Sequence, residues 1–269
     1  MKRILFTVLA FVALFSASSA YGWNSVGHSV IGHIADQNLT PKARKMCNKY
    51  LGHSLAYYAS WMDQWRYTEE YHHTARWHAV GVKDGKLIPG ELVGDISIFR
   101  APLTPDEHGV ARIEQMLDAL KDYRHQTDSL VAVNLKCIIH MVGDMHCPGH
   151  VFYDGQEQFK FKENGEDARF HGYNDRAFAR FNKGKTADQF CNAYCRLTKA
   201  EVKELCSGDM ASWIEQNERI FRECYTLISP TIDYKDLPER NKFRQKEISD
   251  KLIMQAGYRL AHIMNQIFK

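Results

Sequence analysis

Two histidine–aspartate pairs at helical spacing stand out in this 269-residue chain. His140 and Asp144 are four residues apart, so both side chains leave one face of a helix. His146 follows, Cys147-Pro148-Gly149 breaks the helix, and His150 comes directly after. Farther on, His171 and Asp175 repeat the His-x-x-x-Asp spacing, and Trp23, His28, Asp63 and His78 lie upstream. Imidazole and carboxylate donors together suit zinc, and such a pair on a helix aims two donors at one ion. A single pair is more simply two hydrogen-bonded core partners. Two matched pairs, with a further histidine after a Pro-Gly break, favour a metal site, because unpaired charge is seldom buried. His33, five residues after His28, faces away. His53, His72, His73, His108, His125 and His262 lack partner spacing and read as surface or core residues.

The elements that must position these residues are helical. Val26, Val30, Ile31, Ile34 and Ala35 recur at helical spacing. Thr40-Pro41 starts a second helix with a capping Thr and Pro in the first turn. Apolar faces recur over residues 106–124, 129–145, 171–182, 209–228 and about 240–268. Strand signals are few. Trp77 to Val82 and Leu87-Ile88 fit a hairpin over Asp84-Gly85, and residues 158–162 alternate polar and aromatic. The pattern predicts an all-α fold, a single multi-helix domain with short strands or long loops.

At the N-terminus, Met1, Lys2 and Arg3 precede an apolar run from Ile4 to Phe15, then small residues to Gly22. That is the layout of a secretory signal peptide over residues 1–22, too short for a comfortable permanent span. Cleavage after Ala20 or after Gly22 fits the small-x-small rule, and the second makes Trp23 the first mature residue. The remaining 247 residues (269 − 22) have no linker-like tract and suit one domain over 23–269. Export to the periplasm or the extracellular medium follows, with no permanent membrane anchor. No stable protein partner is indicated. The formal charge of +3 becomes +1 without Lys2 and Arg3, which gives no sign of an extended nucleic-acid-binding surface but leaves room for a local site. Seven cysteines occur. Export permits disulfides, Cys191 and Cys195 share a helix face, and Cys206 or Cys224 are conceivable partners. No pair has zinc-finger spacing, which argues against a thiolate zinc site.

Several segments resemble the S1/P1-type nucleases. Trp23-Asn24-Ser25-Val26-Gly27-His28 is similar to their mature N-terminus. Ala59-Ser60-Trp61-Met62-Asp63, followed by Arg66, resembles their Ala-Ser-Trp-Ala-Asp segment. His140-Met141-Val142-Gly143-Asp144-Met145-His146-Cys147-Pro148-Gly149-His150 resembles their His-x-x-Gly-Asp-x-His-Gln-Pro-x-His motif, and His171 and Asp175 match the last pair. The motif resemblance covers about residues 23–181. It implies three zinc ions. One would be held by Asp63, His78, His140 and Asp144, the second by His150, His171 and Asp175. The third would use His28, Asp144 and the amine and carbonyl of Trp23, an amine that only cleavage after Gly22 creates. His146 falls at a motif position that supports ligands rather than being one. Three zinc ions and three ionised aspartates leave a positive cluster that attracts phosphate, and two zincs can share the nucleophilic hydroxide. Asp63 and Arg66 are the candidate catalytic residues, Arg66 as a forked donor to the transition state or as a salt-bridge partner of a ligand carboxylate.

The resemblance implies a zinc-dependent phosphodiesterase acting on single-stranded DNA or RNA, or on nucleotides. Three departures bear on substrate. Ala79 and Gly81 replace an aromatic residue and an aspartate that the family uses on the base and the attacking water. Asp154-Gly155-Gln156 stands where a Gly-Gly-Asn stretch is expected, and Asn174 replaces Trp. Phe152, Tyr153, Tyr173 and Trp65 are the aromatics available to replace the stacking platform, though each is more often core. Two alternatives follow: a phospholipase C-like or other phosphate-ester hydrolase, or a zinc-binding protein without nuclease activity.

Overall fold

The computed structural model describes residues 23–89, 107–153 and 160–269. The leader read over residues 1–22 and the Asp154-Gly155-Gln156 departure lie outside the described residues, as does the start of the alternating segment at 158–162. Helices dominate. α1 (Ser25–Gln37) begins where Asn24 Oδ1 accepts from Gly27 N at 3.2 Å, and it buries Val30, Ile31, Ile34 and Ala35. α2 (Pro41–Leu51) has Thr40 as cap and Pro at its first position, and ends at left-handed Gly52. Short α3 (Leu55–Tyr58) and α4 (Trp61–Trp65) lead to a 3₁₀ turn over His72–His78. α5 (Gly109–Leu120) precedes the apolar α6 (Asp128–Asp144), which Thr127 caps. α7 (Phe170–Asp175) and α8 (Ala177–Phe181) follow. α9 (Ala187–Tyr194), α10 (Lys199–Leu205), α11 (Met210–Thr226) and the long α12 (Glu239–Ile267) complete the helices. α12 packs along α1 and also touches α2, α6 and α8, so the first and last helices both pack against α6.

The continuous helix read over 171–182 is in fact two. Arg176 N bonds back to Tyr173 O at 3.2 Å, a tightened final turn that closes α7 just after Asp175.

The hairpin forms as its Asp-Gly signal predicts. β1 (Val80–Lys83) and β2 (Lys86–Pro89) are antiparallel, with Asp84 at φ 49° and Gly85 at φ 71°. β3 (Val151–Tyr153) joins the other edge of β1 in parallel, pairing Val80 with Val151. β4 (Lys160–Glu163) and β5 (Glu166–Arg169) form a separate hairpin. The small sheet matters because His150 immediately precedes β3 and His78 stands two residues before β1. All seven cysteines are free thiols, so none of the conceivable disulfides is present. Among the described residues no helix is long and apolar enough to cross a membrane.

Candidate metal centre

α6 delivers His140 and Asp144 from its buried last turns, and Asp144 is the hub. Its Oδ2 lies 2.9 Å from His78 Nδ1 and 3.1 Å from His140 Nε2. Its Oδ1 lies 3.3 Å from His28 Nε2, without the alignment of a hydrogen bond, and 4.0 Å from His150 Nδ1. Asp63, on α4, brings Oδ1 to 3.8 Å from His140 Nε2 and 3.9 Å from His78 Nδ1. The His28 ring stacks on His140 with centroids 4.1 Å apart. Gly143 permits that approach, since a Cβ there would stand 2.8 Å from His28 Nδ1.

The second donor group is contiguous. His150 Nε2 is 3.0 Å from His171 Nε2 and 3.4 Å from Asp175 Oδ1, while His171 Nε2 is 3.5 Å from Asp175 Oδ2. Trp23 is buried at its margin, where Asn24 N donates to Asp175 O at 2.8 Å. Every residue singled out as a metal donor from the sequence is therefore buried in one region. Backbone carbonyls aim the rings. His140 Nδ1 bonds Ala59 O at 2.7 Å and His150 Nδ1 bonds His78 O, leaving each Nε2 for the interior of the site. That use of Ala59 and His78 carbonyls has no side-chain signal in the sequence.

Burial and charge divide the protons unequally. Burial would raise Asp144, but His140 and His150 outweigh it and hold the carboxyl well below its usual range. Burial works against charge on His140 and His150 too. Asp144 and Asp63 outweigh it at His140, which is raised, and Asp144 and Asp175 lift His150 to about 9. Burial lowers His78 to about 4, and burial with the neighbouring His140 lowers His28. Burial and His150 hold His171 well below its ordinary value, while burial raises Asp175 to about 6. Within the cluster His150 thus retains its proton at neutral pH, and Asp144 favours the charged form of His140.

The donor set fits metal better than it fits a self-satisfied polar core. His28 Nδ1 and Nε2, both Asp63 oxygens, His78 Nε2, Asp144 Oδ1 and Asp175 Oδ2 are buried without a hydrogen bond. Buried polar atoms without partners are costly and uncommon. Triads of ligand atoms lie within 4.8 Å of one another at His28–His140–Asp144, at Asp63–His78–His140 and at Cys147–His150–Asp175. The mix of imidazole and carboxylate suits zinc. Zinc uptake should release protons. His150 keeps its proton below about pH 9 and must lose it to bind. Apparent zinc affinity should then climb about tenfold per pH unit for each proton released, and flatten above the His150 value. Titration calorimetry in buffers of different ionisation enthalpy reads this directly, and heats independent of buffer would contradict it.

His146 stands apart from the donors. Its Nδ1 bonds Val142 O, and its Nε2 faces Arg259 Nη1 of α12 at 2.9 Å. Burial and Arg259 hold it down at about 3, so it is a neutral anchor for the end of α6. His33 faces outward to Asp188. Cys147 was missed by its chain spacing. Its Sγ lies 3.7 Å from Asp175 Oδ1, and its position inside the His140–His150 motif is the signal that marks it.

Beside the donors, Arg66 is buried with Nη2 3.6 Å from Asp63 Oδ1 and 3.0 Å from Tyr67 Oη. Trp65 is 42% exposed and Tyr67 61% exposed on the same turn, and Trp65 stacks on Trp61 with centroids 5.9 Å apart. Of the aromatics considered from sequence, Phe152, Tyr153 and Tyr173 are core, and Trp65 is open. Gly81 faces Ile88 of β2, where a Cβ would meet Cγ1 at 2.8 Å. The hairpin itself fills the space that an aspartate there would need. Asn174 is buried and turns back to Phe170 O.

A family model described as S1/P1 Nuclease matches residues 23–269, well past the motif resemblance that stops near 181. The chain is 24% identical to Nuclease S1 of Aspergillus oryzae over 97% of its own length and 96% of the relative's. It is 25% identical to Endonuclease 1 of Arabidopsis thaliana over 98% and 93%. It is 26% identical to Nuclease P1 of Penicillium citrinum over 57% and 54%.

Proposed function

Because the chain belongs to the S1/P1 nuclease family, hydrolases that cleave phosphodiester bonds, we propose that it is an exported enzyme that cleaves single-stranded DNA and RNA with three zinc ions. The observation that carries the reading is the set of buried carboxylate and imidazole atoms turned inward without hydrogen-bond partners. Asp63, His78, His140 and Asp144 would hold one ion, and His150, His171 and Asp175 another. His28, Asp144 and the Trp23 main chain would hold the third. Bound zinc supplies Lewis acidity and makes water acidic enough to attack phosphorus at neutral pH.

The chain's own residues supply the rest. Asp63 orients the attacking water and draws off its proton as the leaving oxygen departs. Arg66, held by Asp63 and Tyr67, presents its guanidinium to the phosphoryl oxygens as their charge grows. Trp65 and Tyr67 offer exposed rings on which unpaired bases stack, replacing the platform absent at Ala79. This exposed pair beside Asp63 and Arg66 favours a base-bearing substrate over a phospholipid.

The first experiment is cleavage of single-stranded DNA, RNA and micellar phospholipid by the processed protein, with zinc determined on the same sample. About three zincs per chain and chelator-sensitive nucleic-acid cleavage are expected. Headgroup release from lipid without nucleic-acid cleavage would reject the substrate, and zinc without any hydrolysis would reject catalysis. Trp65→Ala with Tyr67→Ala should raise KM for single-stranded DNA about 30-fold or more, two lost stacking contacts being worth about 1–3 kcal/mol each. An unchanged KM would remove the platform from the account. N-terminal sequencing of the exported protein should begin at Trp23. A start at Tyr21 would leave no Trp23 amine and would overturn the third site as drawn.

A further inference from the structure

We propose that the Cys147 thiolate is itself a zinc ligand, completing the His150–His171–Asp175 group. The inference rests on the zinc reading above and adds to it a donor of a different chemical class. Cys147 is fully buried in the turn that ends α6. Cys147 N bonds Asp144 O at 2.8 Å, and His150 N bonds Cys147 O at 2.9 Å, so one tight turn holds Cys147 and His150 together. The Cys147, His150 and Asp175 ligand atoms all lie within 4.8 Å of one another. Independently, Asp175 Oδ2 is buried in the same group without a hydrogen bond.

Two of the spacings match what zinc bonds would require. Zinc bonds of about 2.3 Å to sulfur and about 2.1 Å to oxygen or nitrogen give edges of about 3.6 Å for sulfur–oxygen and about 3.4 Å for nitrogen–oxygen. The observed values are 3.7 Å from Cys147 Sγ to Asp175 Oδ1 and 3.4 Å from His150 Nε2 to the same oxygen. Two imidazoles, a carboxylate and a thiolate make a four-coordinate set. The glutamine that the quoted nuclease motif has at this position brings no anionic donor. As the zinc–sulfur bond forms, the thiol proton leaves to solvent, so the cluster carries one positive charge fewer. Among the described residues, none of the other six cysteines falls within a donor triad.

Zinc K-edge absorption on the processed, zinc-loaded protein tests this, together with the optical spectrum of its cobalt(II) form. A sulfur shell at about 2.3 Å is expected beside the nitrogen and oxygen shell near 2.1 Å. A thiolate-to-cobalt charge-transfer band in the near ultraviolet should accompany it. Cys147→Ser and Cys147→Gln should lose both signals. Wild-type protein that holds zinc with nitrogen and oxygen neighbours alone would overturn the inference, with the thiol then a hydrogen-bond donor to Asp175 and the nuclease reading intact. A sulfur signal that survives in Cys147→Ser would overturn it too. Failure to hold zinc at all would take both readings down together. Should either variant fail to fold, the wild-type spectra decide alone.

Discussion

Asp144→Asn is expected to lower nucleic-acid hydrolysis by about 10³-fold or more, about 4 kcal/mol of barrier, and to lower zinc content as well. Asp144 lies within 4.0 Å of imidazole nitrogens from His28, His78, His140 and His150, so its charge is felt by four of the donor rings at once. The asparagine is nearly isosteric and keeps one oxygen, but it removes the anion that offsets the cations gathered there. The zinc-free protein should suffer in the same way. His140 and His150 are raised chiefly because Asp144 overcomes the penalty of burying their charge, and without it burial favours their neutral forms, so the charge pairing that ties the rings to α6 is lost. Metal analysis and activity on one preparation check the claim. Full zinc content with full activity would mean that Asp144 merely fills the core.

Arg66→Ala should cost about 10²-fold to 10³-fold in kcat while leaving zinc content unchanged, the usual loss for one preorganised donor to a charge-building transition state. Arg66→Lys should recover only part of it, since a point charge replaces a planar fork. The alternative role is that of a structural partner to Asp63, from which it stands 3.6 Å away. In that case the alanine variant should lose zinc and activity in proportion. Measuring both in each variant separates a residue that meets the phosphate from one that only steadies a ligand.

The sequence was most legible where chemistry and helical periodicity coincide. The pairs His140–Asp144 and His171–Asp175 required only that their segments be helical, and both segments are. The Asp84-Gly85 turn was equally plain, because few residues accept positive φ. What could not be read came from contacts between distant segments. The replacement at Gly81 reads in sequence as a simple loss, whereas in the fold Ile88 occupies the space across the hairpin. Trp65 could not be told from Phe152, Tyr153 and Tyr173, because all four are aromatic and exposure follows from packing. Cys147 escaped because chain spacing to other cysteines says nothing of a carboxylate on another helix, and Asp175 reaches it from α7. His146 found a partner on the last helix, Arg259, that nothing near it in sequence announces.

The parallel pairing of β1 with β3 also governs when the site comes into being. His78 and His150 meet across 72 positions of chain, and no local element can bring them together early. Closing so long a loop costs conformational entropy before any contact repays it, and such non-local pairings form slowly. α6 can form with its own contacts, presenting His140 and Asp144, well before the sheet delivers the opposing rings. The centre is therefore assembled late, by topology rather than by helix formation. Zinc bound preferentially by the completed arrangement would act on that last step as a latch that favours the closed form.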